Sequence, residues 1–235
     1  MRLNYLFIAL IFFLNCEDKQ TSKENENTIS KDSIVETSKS KPKKKKKPTS
    51  EYPVLTDDNA MDFFLEYDKE HKENKVRITT DFGTIDILLY DKTLFHRSNF
   101  IYLTKRKYFD GTQFYRVVKN FVIQGGSSDD YNIAKRRRKI GHYLLPPDTK
   151  RGFTHKRGAV SMPSSEIENA YKLASPFQFF IIQRPGGADY LDGDYTVFGE
   201  VTDGMDVVDK INAVETDEGE WPLQNVYIRK VEIIE

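Results

Sequence analysis

The sequence predicts a mainly β protein: an antiparallel barrel, closed or nearly closed, with a few helices covering its ends. Three observations carry this. Short runs rich in β-branched and aromatic residues recur from residue 76 onward, divided by Gly, Asp and Asn turn signals. Only a few segments place apolar residues at helical spacing. Aromatic residues make up 13% of the chain, enough for a substantial core, and no internal repeat is visible.

The 235 residues leave room for one medium domain and some extensions. Net charge is zero, so no global field favours nucleic acid, and no nucleic-acid partner is expected. Cys16 is the only cysteine, which excludes an intrachain disulfide and a cysteine-rich metal site. His71, His96, His142 and His155 lack the close spacings that bind zinc. No metal and no cofactor is expected.

At the N-terminus Arg2 precedes an apolar run, Leu3 to Leu14, followed by Cys16. The run fits a secretory h-region and is short of the ~20 residues a spanning helix needs. "FLNC" resembles a loose form of the bacterial lipoprotein cleavage box, with a plain secretory leader as the alternative. The expectation is a leader over 1–15, lipidation of Cys16, and anchoring in the bacterial cell envelope. Residues 17–50 contain no aromatics and only three aliphatics, Ile29, Ile34 and Val35. So polar a segment buries too little to offset ordering entropy, and 16–51 is expected to be a disordered tether ending in "KPKKKKKP".

From 52 to 75 a helical extension is expected. Thr56, Asp57 and Asp58 suit its N-terminus, and Ala60, Phe63, Phe64 and Tyr67 recur at helical spacing. "VRITTDFGTIDILLY" reads as a hairpin turning at Asp81-Phe82-Gly83. "HRSNFIYLTKRKYFDG" reads as a second helix, and "KRRRK", Lys135 to Lys139, as an exposed loop. Strands follow at "GAVSMP", "FQFFIIQ" and "TVFGEV", then a helix at "GMDVVDKIN" and a closing strand at "NVYIRKVEII".

"FYRVVKNFVIQGG", Phe114 to Gly126, is the informative hairpin. With a three-residue connection over Lys119, Asn120 and Phe121, Arg116 faces Gln124 on one side of the sheet, and Tyr115, Val117 and Ile123 point to the other. With a two-residue loop the polar pair would fall on opposite faces.

"YFDGTQFYRVVKNFVIQGG", "GAVSM", "FQFFI" and "LDGDYTVFGEV", in this order, resemble the cyclophilin peptidyl-prolyl isomerases over residues 76–235. The resemblance implies a closed eight-stranded barrel capped by two helices, with the active site on the outside of its wall. It implies Arg116 as the catalytic arginine and Gln124 as the glutamine that holds substrate backbone and orients it. Phe121, Val122, Phe180 and Leu191 match the proline pocket, and Gln178 a groove-lining glutamine. Tyr195 stands where the family often has histidine, and Tyr190 where it has the tryptophan associated with cyclosporin binding. After "GAVSM" the family has a small residue and then asparagine. Here Pro163 and Ser164 stand there, and Ser164 keeps the backbone N–H that would pair with substrate.

The resemblance thus implies a monomeric peptidyl-prolyl cis–trans isomerase acting on proline-containing unfolded or flexible polypeptides and assisting the folding of exported proteins. The alternative is a proline-peptide-binding chaperone or scaffold of the same fold with little turnover. A third reading makes the fold a spacer tethered to the envelope.

Overall fold

The computed structural model describes residues 52–164 and 170–235. The expected leader, Cys16 and the lysine-rich tether lie outside the described residues, as do residues 165–169 of the 164–177 loop.

In chain order the elements are β1 (Leu55–Thr56), α1 (Ala60–Glu70), β2 (Lys75–Thr80), β3 (Gly83–Leu89), α2 (Leu94–Lys105), β4 (Gln113–Val118), β5 (Val122–Ser127), α3 (Tyr131–Ile140), β6 (Gly141–His142), β7 (Ala159–Ser161), β8 (Phe179–Ile182), a 3₁₀ turn (Asp189–Leu191), β9 (Val197–Asp203), α4 (Met205–Asn212) and β10 (Val226–Ile233). Eight strands close a barrel in the order β10-β2-β3-β9-β7-β8-β5-β4, each neighbouring pair antiparallel. This is the expected fold.

Strand alternation explains the core. Val76 and Ile78 of β2, Ile85, Ile87 and Leu89 of β3, Ile123 of β5, Phe179 and Ile181 of β8 and Phe198 of β9 all enter one buried cluster. Each such side chain contributes about 1.5–3 kcal/mol when removed from water. Their sequence neighbours Val122, Phe180, Ile182 and Val197 point the other way and join a second, smaller cluster with Ala159 and Ala188. β8 is therefore buried on both faces and reads as an unbroken apolar run. The second cluster lies on the outside of the wall, where the candidate site is built.

α2 packs against β9 and β10, and α4 against β3, β4 and β5. α1 stacks on α2 through Tyr52, Phe63, Phe64, Tyr67 and Tyr102, whose rings meet mostly edge to face. A buried ion pair joins the same two helices. Arg97 of α2, 2% exposed, donates to Asp68 of α1. Ser98 Oγ and Lys72 Nζ complete the carboxylate's contacts at 3.0 and 2.5 Å. Burial opposes ionisation of Asp68, but these hydrogen bonds and the Arg97 charge hold its carboxyl below the usual range.

Two local readings need correction. "KRRRK" is not a loop but the body of α3. Asp130 caps that helix by accepting from the backbone N–H of Asn132 and Ile133 at 2.6 and 3.3 Å, and Arg137, Arg138 and Lys139 sit in the last turn, where the helix dipole favours cations. Arg136 donates to the carbonyls of Lys107 and Asp110, and Arg137 lies 4.8 Å over the Phe177 ring, so much of the positive charge is spent on packing. At α1, Asn59 rather than Thr56, Asp57 or Asp58 precedes the first turn. Asp57 instead accepts from the backbone N–H of Leu144 at 2.8 Å, beside the short parallel pairing of β1 with β6.

Candidate active site

The β4–β5 connection has the three-residue form. Val118 pairs with Val122, Val117 with Ile123 and Arg116 with Gln124. Asn120 adopts φ +58°, a left-handed conformation asparagine tolerates, and Asn212 of α4 pins the turn from below. At the far end of β5, Gly126 has φ +96°, and a Cβ there would meet the Phe177 carbonyl at 2.5 Å.

One expectation fails inside this hairpin. Tyr115 does not point to the inner face with Val117 and Ile123. The register shifts between Phe114 and Arg116, so Tyr115 is the extra residue of a β-bulge. Its hydroxyl reaches the polar face, donating to Gln178 Oε1 at 2.9 Å and accepting from Gln124 Nε2 at 2.5 Å. Burial pushes the Tyr115 hydroxyl up to about 12, outweighing the Gln124 contact, so it remains a phenol at neutral pH. The result is a chain of hydrogen bonds. Tyr115 fixes Gln124, whose Oε1 accepts from Arg116 Nη1 at 3.3 Å, and Arg116 Nη2 meets Glu220 Oε2 at 2.6 Å.

Beside the guanidinium lies a depression of about 140 Å³ lined by Phe121, Val122, Phe180, Leu191 and Tyr195, with Pro163 and the Arg116–Gln124 pair at its edge. Its floor is the outer cluster. Phe180 meets Tyr195 edge to face, with ring centroids 6.0 Å apart. From behind, the His155 ring stacks on Phe180 at 5.9 Å and 10°. Asp192, next to Leu191, accepts from the backbone N–H of His155 at 2.9 Å and lies 2.6 Å from its Nδ1.

Ser161 Oγ completes an Asp–His–Ser alignment, 3.0 Å from His155 Nε2. It is no nucleophile: Ser161 is fully buried, and Thr196 O at 2.8 Å competes for its proton. The alignment supports the pocket. Burial lowers the His155 pKa despite the facing carboxylate, keeping the ring neutral.

The nine groove residues predicted from sequence thus fall into two positions around Arg116. Phe121, Val122, Gln124, Phe180, Leu191 and Tyr195 line the depression with it. Gln178, Tyr190 and Ser164 stand around it. Gln178 completes the Tyr115–Gln124 network, Tyr190 stacks on Phe121 at 6.0 Å, and Ser164 bridges to Ala174 beside Pro163. Sequence reasoning misses Tyr115, Glu220 and Asn212. Asn212 carried no usable signal, and Glu220 lies far along the chain in a polar turn. Among the described residues no group of three His, Cys, Asp or Glu side chains is arranged to hold a metal, and no helix is long and apolar enough to cross a membrane.

Comparison with known proteins agrees with this geometry. The family described as Cyclophilin type peptidyl-prolyl cis-trans isomerase/CLD matches residues 75–233. The chain is 36% identical over 180 residues to peptidyl-prolyl cis-trans isomerase B of Saccharomyces cerevisiae, covering 74% of this chain and 81% of that protein. It is 34% identical over 169 residues to peptidyl-prolyl cis-trans isomerase-like 2 of Rhizopus delemar, covering 71% of this chain. The match spans only about a third of the length of several curated relatives, 30% in the Rhizopus protein and 31% in isomerase 4 of Caenorhabditis elegans. A Cryptosporidium parvum cyclophilin type isomerase, solved in the presence of the dipeptide Ala-Pro, superposes with a TM-score of 0.55 at 25% identity, covering 68% of this chain and 99% of that one. With the barrel, the outer-wall pocket and a family match that runs from β2 to β10, the chain is a member of the cyclophilin-type peptidyl-prolyl isomerase family.

Proposed function

We propose that this chain catalyses cis–trans isomerisation of X-Pro bonds in unfolded or flexible polypeptides, with Arg116 as the catalytic residue. The observation that carries the reading is the placement of a fixed guanidinium at the rim of an apolar, ring-sized depression. An X-Pro bond turns slowly because amide resonance must be broken, at a barrier of about 18–20 kcal/mol. In the twisted transition state the proline nitrogen regains a lone pair. No covalent bond is cleaved and no proton need move, so the protein must hold the ring and offer a donor to that nitrogen. Phe121, Val122, Phe180 and Leu191 hold the ring, and Arg116 donates. The donor accelerates the reaction only as far as it binds the twisted amide better than the planar one. The relatives named as isomerases and the Ala-Pro present with the Cryptosporidium protein support this reading.

The cellular setting is part of the proposal. Cleavage before Cys16 and lipidation there would anchor a monomer in the bacterial envelope, with proline-containing exported chains as clients whose folding it assists. A second reading, a binding module with little turnover, is favoured by one observation: Glu220 already occupies one end of the Arg116 guanidinium. An isomerase assay on a short X-Pro peptide, comparing wild type with Arg116→Ala, separates the two.

A further inference from the structure

Glu220 occupies a turn built with unusual care. Thr216 and Pro222 bridge its ends, and Asp217 Oδ1 accepts from the backbone N–H of both Gly219 and Trp221 at 2.9 Å. Glu220 itself has φ +65°, a left-handed conformation that disfavours any residue with a Cβ. Its carbonyl accepts from the Val117 N–H at 2.8 Å, stitching the turn to β4 one residue beyond Arg116. From this mount its carboxylate reaches Arg116 Nη2 at 2.6 Å, while Nη1 is held by Gln124.

Both side chains are 39% exposed, so the ion pair contributes little to stability. Its effect lies elsewhere. An arginine projecting from an exposed strand face samples many rotamers, and a donor that must meet one nitrogen in a twisted amide loses rate with every misplacement. Two partners on the two η nitrogens fix the plane of the fork and leave Nε–H and further η hydrogens as donors beside the depression that Arg116 lines. The left-handed backbone at Glu220 is the one that delivers its carboxylate to Arg116.

We infer that Glu220 is a positioning residue for the reaction, orienting the Arg116 guanidinium against Gln124 across the proline pocket. The inference rests on the isomerase reading above. It makes the turn over residues 216–222 part of the active site, although that turn adds nothing to the ring pocket itself.

The test compares turnover and melting of wild type, Glu220→Ala, Glu220→Gln and Glu220→Gly, each also in an Arg116→Ala background. Glu220→Ala should lower kcat by on the order of tenfold with KM nearly unchanged, and Glu220→Gln should recover most of it because its amide oxygen still accepts. Glu220→Gly should remain as stable as wild type, since glycine suits the left-handed turn, yet turn over as slowly as Glu220→Ala. With Arg116 absent, none of the three should matter further. Side-chain nitrogen NMR adds a readout independent of turnover: the Arg116 guanidinium should be ordered in wild type and averaged in Glu220→Ala. A Glu220→Ala enzyme as fast as wild type or faster, or equal losses in both backgrounds, would overturn the inference. An inactive wild type strikes the isomerase reading alone, and the guanidinium signal then decides whether Glu220 orders Arg116.

Discussion

Asn212 Oδ1 lies 2.8 Å from the backbone nitrogen of Asn120, so the last residue of α4 sets the turn of the hairpin that carries the proposed catalytic arginine. Its Nδ2 donates to the carbonyls of Val118 and Val122 at 2.9 and 3.1 Å. Both strand ends and the turn between them are thus satisfied by one buried amide. The register that puts Arg116 opposite Gln124 depends on this turn holding three residues.

Asn212→Ala should therefore destabilise the domain by about 1–3 kcal/mol, the cost of leaving buried backbone groups without partners. Chemical denaturation measures this, and peptide turnover should fall along with it. A variant with unchanged midpoint and unchanged turnover would show that the hairpin keeps its register unaided.

Arg116→Ala tests the chemistry without disturbing the core, because the side chain faces the groove. Catalytic efficiency should fall by about 10- to 100-fold, the worth of a charged hydrogen bond made in the transition state. Arg116→Lys should restore only part, since an ammonium cannot meet Gln124, Glu220 and substrate with one planar fork. Turnover should be flat between about pH 6 and 8, because the proposed step moves no proton and the Tyr115 hydroxyl has been pushed up to about 12. A bell-shaped profile would point to acid–base chemistry and against this mechanism.

Stability should depend on pH through two buried imidazoles. His96 of α2 is fully buried, neither ring nitrogen has a hydrogen-bond partner among the described residues, and burial pushes its pKa down to about 3. His155 is also lowered by burial, against the pull of Asp192. A histidine in the unfolded chain titrates near pH ~6.5. The folded values lie below that, so this stability is complete above about pH 6.5 and is lost as the pH falls toward them. For His96 the loss is about 1.4 kcal/mol per unit in that window. Denaturation of wild type and His96→Leu between about pH 7.5 and 5 checks it. The wild type should weaken on acidification more steeply, and parallel curves would refute the assignment.

The proposed anchor has its own measurement. Wild type should partition into a detergent phase and Cys16→Ser into the aqueous phase, as stable anchoring takes two or more acyl chains. Equal recovery of both in the aqueous phase would remove the lipoprotein from the proposal.

Much of the barrel and the Arg116–Gln124 pair could be read from local alternation, while the pocket residues follow from the family resemblance. Phe179 and Ile181 face in, Phe180 and Ile182 face out, and the outward set becomes the pocket floor. The Arg116–Gln124 pairing follows from counting three turn residues. Tyr115 defeats the same logic, since a bulge inserts a residue that alternation cannot see. α3 was hidden by its charge: its buried residues, Ile133 and Ile140, are too sparse for a periodic signal, although Asp130 was there to be read as a cap. Asn212 and Glu220 act on residues far away in the chain, and only closure of the barrel brings them to the hairpin.

The Arg97–Asp68 pair has a consequence for where this protein can be cut. The family match starts at residue 75, which invites excision of the barrel at that point. Such a fragment would keep Arg97 and lose Asp68, its buried partner, leaving the exposed Asp91 at 3.6 Å from Nε. It would uncover the face of α2 on which α1 packs. The cut also strips the packing of Phe64 and Tyr67 against α2, at about 1.5–3 kcal/mol for each apolar side chain returned to water, a large share of a domain's stability. Residues 52–74 therefore travel with the barrel in any transplant, fusion or minimal fragment. The portable unit is bounded by where its helix packing and interior ion pair are complete, one helix upstream of where its family begins.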